Sequence, residues 1–278
     1  MSYRNFIPKV WAAQINRELE RACVFAEDCN RQYEGEVRQQ GDTVKILGVG
    51  KPTITEQVGG PIVLQDAETV EDTSIDMVIN HIAYFNYLVD DIDRRQAVGG
   101  LMDALSAEAT EGVANVIDRS IANLAAQKDA VKLKSSTESV TKENILEYVD
   151  EGLQRLMEND VAANTKIVMT IPPWFYTLMR QAYRALDTDN SALLKNGRVG
   201  MYNNITVKVS NNCNAISDGG HNIMLRTQRA IAYCNPLTHT EPYRPEKRFS
   251  DAVKGFMLFG TKIVRPKEMI ILNAKKGA

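Results

Sequence analysis

The chain has 278 residues, 44% hydrophobic and 24% charged, enough for one large domain or two smaller ones with a real core, and unlike a disordered chain. Its formal charge of -2 excludes a strongly basic footprint, so binding nucleic acid along a charged groove is not its main activity. No window approaches the ~18 apolar residues a membrane helix requires, and the start, MSYRNFIPKVWAAQ, lacks a signal-peptide core, so a cytosolic origin without membrane contact is expected.

In residues 3–40, Trp11, Ile15, Leu19, Ala22 and Ala26 recur at helical spacing, and Pro8 sits where a first-turn proline is tolerated. This predicts an amphipathic helix preceded by an arm carrying Tyr3, Phe6 and Ile7. Those apolar residues suit either a second surface or the arm's own domain. From Gly41 the period changes to two. Val44 and Ile46 alternate with Thr43 and Lys45, and Thr53–Thr55 continues after Pro52.

A Gly59-Gly60-Pro61 breaker and an acidic run from Asp66 to Asp72 separate this strand from a second. In the second, Ile75, Met77, Ile79, Ala83, Phe85, Tyr87 and Val89 alternate with polar residues. Read as one strand it extends roughly 50 Å. The two runs predict a long antiparallel hairpin whose outer part rests on its own domain or on a neighbouring molecule.

Asp90 to Gln127 reads as one long helix, capped by Asp90, with a stripe of Leu101, Leu105, Ala109, Gly112, Val116, Ser120 and Leu124 broadened by Val113 and Ile117. Asp103, Glu111, Asn115 and Asp118 fall on the opposite side. Such a helix is roughly 55 Å long, more than a domain of this size needs. Gly99-Gly100 marks a bend or a break in it.

Thr141 to Asn144 resembles a capped start for a helix running to about Asn159, with Ile145, Val149, Leu153 and Leu156 or Met157 on one face. A buried strand, Lys166 to Thr170, ends at Pro172-Pro173, which open another helix with Trp174, Leu178, Tyr183 and Leu186 as core candidates. Ile205, Val207 and Val209 alternate as a strand, and Ile223 to Cys234 reads as a strand pair or one buried strand. Pro236 to Pro245 reads as an extended connector. The closing run AVKGFMLFGTKIVRPKEMIIL predicts strands that pair beside the long helix.

The chain contains no GxSxG elbow, P-loop, GxGxxG or HExxH. His81, His221 and His239 lie scattered. Cys23, Cys29, Cys213 and Cys234 match neither a zinc knuckle nor a CxxC pair, and are read as reduced and mostly buried. No catalytic, cofactor or metal residue is assigned.

The order of elements resembles the major capsid protein of tailed bacteriophages, whose fold is shared by encapsulins and the herpesvirus capsid floor domain. The likeness is carried by NFIPKVWAAQINRELERACVFAEDCNRQYEGEVRQQGDTVKI, YLVDDIDRRQA, IPPWFYTLMRQ, GMYNNITVKVSNN and FMLFGTKIVRPKEMIIL, and spans nearly the whole chain. It implies an α+β fold with an N-arm (1–40), an extended E-loop hairpin (41–89), a P-domain with the long spine helix (90–140 and 236–278) and an inserted A-domain (141–235).

By the same resemblance the protein assembles with itself into pentamers and hexamers of an icosahedral capsid enclosing double-stranded DNA, in partnership with scaffolding and portal proteins. It would be built in the host cytoplasm and end in the virion. Tyr3, Phe6, Ile7, Trp11, Lys51, Gly59 and Gly60 would contact neighbours, and Gly99 and Gly100 would be hinges. The chain begins directly with the arm, which implies a separate scaffolding protein or an already mature form. Lys51 lies in the loop, but no partner asparagine or activating glutamate matches the family's cross-linking chemistry. The alternatives are an encapsulin-type shell with a cargo enzyme, and a soluble α/β enzyme with its active domain at 141–235.

Overall fold

The period-two run after Gly41 folds as an antiparallel hairpin of β1 (Thr43–Val49) and β2 (Asp72–Val78), in register from Thr43↔Val78 to Val49↔Asp72. The computed structural model describes residues 23–33, 41–49, 59, 72–90, 101–162, 164–185, 194–195, 198–246 and 250–277. The strand expected to run unbroken from Ile75 to Val89 is two strands. After Ile79 and Asn80 the chain changes sheets, and β3 (His81–Asp90) pairs with a strand near the C-terminus. Ile79 still closes the hairpin, donating its N–H to the Asp42 carbonyl at 3.1 Å and accepting from Gly41 at 3.0 Å. Met77, Ile79 and Ala83 are all buried, so alternation keeps one phase across the switch and gives no sign of it.

Asp90 pairs with Ser250 as the last residue of β3, so the expected helix start there is corrected to a strand end. The spine helix is described as α1 (Leu101–Asn123), followed by a 3-10 turn at Leu124–Ala126; residues 91–100 lie outside the described part. Twenty-three residues give a rod of about 35 Å. Its buried face is also corrected. Ser106, Thr110, Val113, Ala114, Ile117, Asp118, Ile121 and Ala122 point inward, while Val116 is 45% exposed and Gly112 lies open.

Val113, Ile117 and Leu124 are buried as expected, so the stripe is shifted toward its Val113–Ile117 side. The polar members that disguise it are satisfied inside. Tyr87 Oη and Ser106 Oγ share a hydrogen bond of 3.1 Å, Thr110 Oγ1 donates to the Ser106 carbonyl at 2.7 Å, and Asp118 accepts backbone amides.

Two short strands, β4 (Val131–Lys132) and β5 (Glu138–Val140), lead to α2 (Ile145–Glu158). Asn144 accepts the Thr141 N–H at 2.8 Å and donates to the Ser139 carbonyl at 3.1 Å, fixing the turn into the helix. Ile145, Val149, Leu153 and Leu156 are buried as expected, and of the two candidates at the end Met157 is the exposed one. The fully buried β6 (Ile167–Ile171) precedes α3 (Pro173–Ala185). The α3 core residues are Phe175, Met179, Ala182 and Tyr183. Trp174 and Leu178 stand at the margin of that cluster, where Trp174 Nε1–H donates to His221 Nδ1 at 3.2 Å; Leu186 lies outside the described residues.

Beyond β7 (Leu194–Lys195) and β8 (Arg198–Val199), β9 (Met201–Tyr202) and β10 (Ile205–Val209) form a tight hairpin. Its two turn residues, Asn203 and Asn204, have φ of 40° and 67°, the positive angles a two-residue hairpin turn demands and asparagine tolerates. Then come β11 (Asn214–Ala215), β12 (His221–Thr227), β13 (Ile231–Tyr243), β14 (Ser250–Ile263) and β15 (Met269–Lys276). Pro236 to Pro245 is therefore largely strand and not a connector. β13 is an edge strand with a register shift between Cys234 and Leu237, the setting in which a sheet accepts proline.

The architecture is α+β. A central mixed sheet runs β4-β15-β12-β6-β10-β9, and a second sheet runs β13-β14-β3. Of the closing strands, β14 joins the second sheet, whereas β15 crosses to pair with β12. Alternate residues sort into two cores. Ile223, Leu225, Ile270 and Leu272 face α2 and α3, whereas Met224, Met269 and Ile271 face α1 together with Ala83, Met257 and Phe259 of the second sheet. The spine helix is the filler between the two sheets.

All four cysteines are reduced and buried. Burial pushes the Cys213 thiol up to about 12 and raises that of Cys29, and thiols so placed are not nucleophiles at neutral pH. We expect maleimide to leave the folded subunit unlabelled and to label four cysteines in denaturant. Rapid native labelling, read by mass spectrometry, would contradict the packing described.

Candidate assembly surfaces

The segment 23–33 is held on the body by charge as much as by packing. Asp118 of α1 accepts the amides of Val24, Phe25 and Ala26 at 2.8, 3.0 and 3.4 Å. Arg226 of β12, also buried, donates to the carbonyls of Phe25 (2.8 Å) and Asp28. Asp28 pairs with Lys166 at 3.0 Å and Lys208 at 2.5 Å, and Lys208 also reaches Glu27. Asn30 then joins the edge of β13, donating to the Ile231 carbonyl and accepting from Tyr233, both at 2.9 Å. Ala26, expected in an amphipathic helix, instead opens the 3-10 turn Ala26–Asp28 that these groups cradle.

The electrostatics of the two carboxylates are opposite in sign. Burial raises Asp118 above the ordinary 3.8, and the three amides and the Arg226 charge offset this only in part. Burial also acts upward on Asp28, but the hydrogen bonds and charges of Lys208 and Lys166 outweigh it and hold that carboxyl below the ordinary value. Sequence reasoning placed Asp118 on the solvent side. The signal available was its position in the middle of Val113, Ala114, Ile117, Ile121 and Ala122 at helical spacing, where a lone acid needs partners.

The hairpin is seated on the body where Gly41 and Ile79 close it. Val44, Ile46, Met77 and Ile79 bury against Ala232, Cys234 and Leu258, with Tyr33 and Val264 beside them. On the outward face of the second sheet Tyr84 is 79% exposed and lies opposite Phe256, itself beside His239. Next to this aromatic row runs a polar one, where Lys254 pairs with Glu241 at 3.3 Å and Tyr243 Oη bonds Asn86 at 3.1 Å.

Of the residues expected to contact neighbours, Gly59 is described: it is exposed with φ of 74°, a conformation that suits glycine. Tyr3, Phe6, Ile7, Trp11, Lys51 and Gly60 lie outside the described residues, as do the hinge candidates Gly99 and Gly100.

No family model and no curated protein matches the sequence. Solved structures do match. A chain of Mycobacterium phage Che8 is 25% identical and superposes with a TM-score of 0.74 over 92% of both chains. The capsid structure of cyanophage P-SCSP1u is matched at 14% identity and a TM-score of 0.68, over 92% of this chain and 89% of that one. The fold is that of the phage major capsid proteins. A virus-like particle from Pyrococcus furiosus has the same capsid fold, with 12% identity, a TM-score of 0.61 and coverage of 95% and 98%.

Proposed function

We propose that this chain is the structural subunit of an icosahedral phage capsid, self-assembling into pentamers and hexamers around double-stranded DNA. It is a capsid-forming structural protein. The observation that carries the reading is the match to a phage chain over 92% of both lengths, more than a shared core would give. The hairpin is seated on the body through Val44, Ile46, Met77 and Ile79, and because a two-stranded ribbon is marginal alone in water its outer part is read as lying on another copy.

In this reading 1–40 is the N-arm, 41–89 the E-loop, 90–140 with 236–278 the P-domain, and 141–235 the A-domain. Tyr3, Phe6, Ile7, Trp11, Lys51, Gly59 and Gly60 touch neighbours, and Gly99-Gly100 lets one sequence adopt pentamer and hexamer angles. Scaffolding and portal proteins take part in assembly in the host cytoplasm, and the finished subunit resides in the virion capsid.

The test is to express the full chain with and without its neighbouring phage genes and examine it by sedimentation and electron microscopy. Closed shells that protect DNA from nuclease are expected in the native particle. A monomer under all conditions would overturn assembly, and shells enclosing a protein cargo without DNA would favour the encapsulin-type alternative.

A further inference from the structure

His221 opens β12, and Trp174 stands in the first turn of α3. The indole Nε1–H donates to the imidazole Nδ1 at 3.2 Å, with the two ring centroids 6.1 Å apart. An indole nitrogen can only donate, so Nδ1 accepts and the imidazole is neutral, with its proton on Nε2. A second proton has to go onto Nδ1. It would set two N–H donors head to head and break the bond.

Among the described residues packed around His221, none supplies an anion that offsets this cost. The first turn of α3 contains no acid, and β11 and β15 flank His221 with Ala215 and Ala274. Asp218 of the adjoining loop is committed to the Gly220 N–H at 3.2 Å and to Thr137, with the Lys275 charge beside it. Glu138 of β5 lies one strand further out, opposite Ala274, and pairs with Lys134. Lys275 and Lys276 follow Ala274 on β15 and do not favour a cation. Burial accordingly holds the imidazole below its ordinary 6.5.

The two partners are held unequally. Behind His221 the loop 216–220 is closed on itself, with Ile216 N–H donating to the Gly220 carbonyl at 2.8 Å and Gly219 N–H to the Ile216 carbonyl at 3.1 Å. A Cβ at Gly220 would stand 2.7 Å from the Ala274 carbonyl, so this loop has no room to shift inward. On α3, Phe175 and Met179 are fully buried and anchor the helix. Trp174 only borders that core, meeting Phe175 edge-on at 5.6 Å. Its side chain is the part that can swing without disturbing the core.

We propose that Trp174 and His221 form a proton-released latch, in which protonation of His221 expels the indole from its seat at the start of α3. A histidine kept neutral by the fold supplies its stability above 6.5, and that stability is lost as pH falls through the folded value. The latch is therefore shut at neutral pH and opens on mild acidification. Opening turns a half-buried indole into a surface group at this end of the central sheet, while Phe175 keeps the core beneath it packed.

Intrinsic fluorescence reads the latch, because the chain has two tryptophans and Trp11→Phe leaves Trp174 as the reporter. Titrated from about pH 8 to about pH 5, the unassembled Trp11→Phe subunit should show a red shift of emission and a rise in acrylamide quenching. Both should occur in one step with its midpoint below 6.5. Adding His221→Asn, which offers Oδ1 as an acceptor in place of Nδ1 and does not titrate, should leave the emission at its neutral-pH value throughout. A flat Trp11→Phe titration, or a step that survives His221→Asn, overturns the latch.

A second measurement reads the other partner. The His221 ring signals in proton NMR, assigned by their absence from His221→Asn, are titrated in the native sequence and in Trp174→Phe, with circular dichroism confirming the fold. Phenylalanine keeps a ring over the imidazole but lacks the N–H, so the His221 midpoint should move up toward 6.5. An unchanged midpoint means that the indole does not oppose the proton, and overturns the latch even where the fluorescence titrates.

Discussion

Replacing Asp118 by alanine is expected to destabilise the unassembled subunit by about 3 to 5 kcal/mol, read from urea unfolding. The substitution takes the acceptor from three amides, Val24, Phe25 and Ala26, and leaves the buried Arg226 without its nearby negative charge. Its distinguishing readout is local: amide exchange at residues 24–26 should become fast while α2 and β6 stay protected. Unchanged protection at those amides would refute the clamp. Asp118→Asn, which keeps one oxygen acceptor, should cost less than alanine.

The pH dependence separates the two acids. Asp118 is raised above 3.8, so its ionisation costs the folded state progressively as pH rises from 3.8 through its folded value, and acidification does not break its clamp. Asp28 is lowered, so the stability it supplies is complete above 3.8 and is lost as pH falls through its folded value. Asp28→Asn should therefore flatten the loss of stability below about pH 4, whereas Asp118→Asn should not.

The second large effect is at Gly255 on β14. A Cβ there would fall into the Phe85 ring, 2.7 Å from Cε1 and within 3.1 Å of the His239 carbonyl. Gly255→Val should cost about 2 to 3 kcal/mol by forcing Phe85 off the inner face or parting β13 from β14. Combining it with Phe85→Ala should cost less than the two separate losses added together. Strict additivity in that cycle would mean the ring is not the obstacle.

Periodicity was enough to place α2, β6 and the hairpin, because each has one apolar face and clear punctuation. It misled where a buried face is polar. On α1 the inward residues include Ser106, Thr110 and Asp118, whose partners Tyr87 and residues 24–26 are distant in sequence. It was silent where two sheets are entered by one alternating run, since Ile79 and Ala83 share a phase. Pro236 and Pro242 argued against a strand because the sequence does not reveal that β13 lies at a sheet edge. Asp118 and Arg226 both hold the segment 24–28, and only the fold makes them neighbours.

The change of sheets between β2 and β3 has a mechanical corollary. From Asp72 to Asp90 the chain is one nearly continuous extended run, so tension applied to the outer hairpin travels along it into β3. There it meets ten register pairs with β14, from His81↔Phe259 to Asp90↔Ser250, aligned across the pull. Such a joint is loaded in shear, with its hydrogen bonds sharing the force, and does not unzip one bond at a time. Freeing β3 from the second sheet by such a pull would require these ten pairs to slip together.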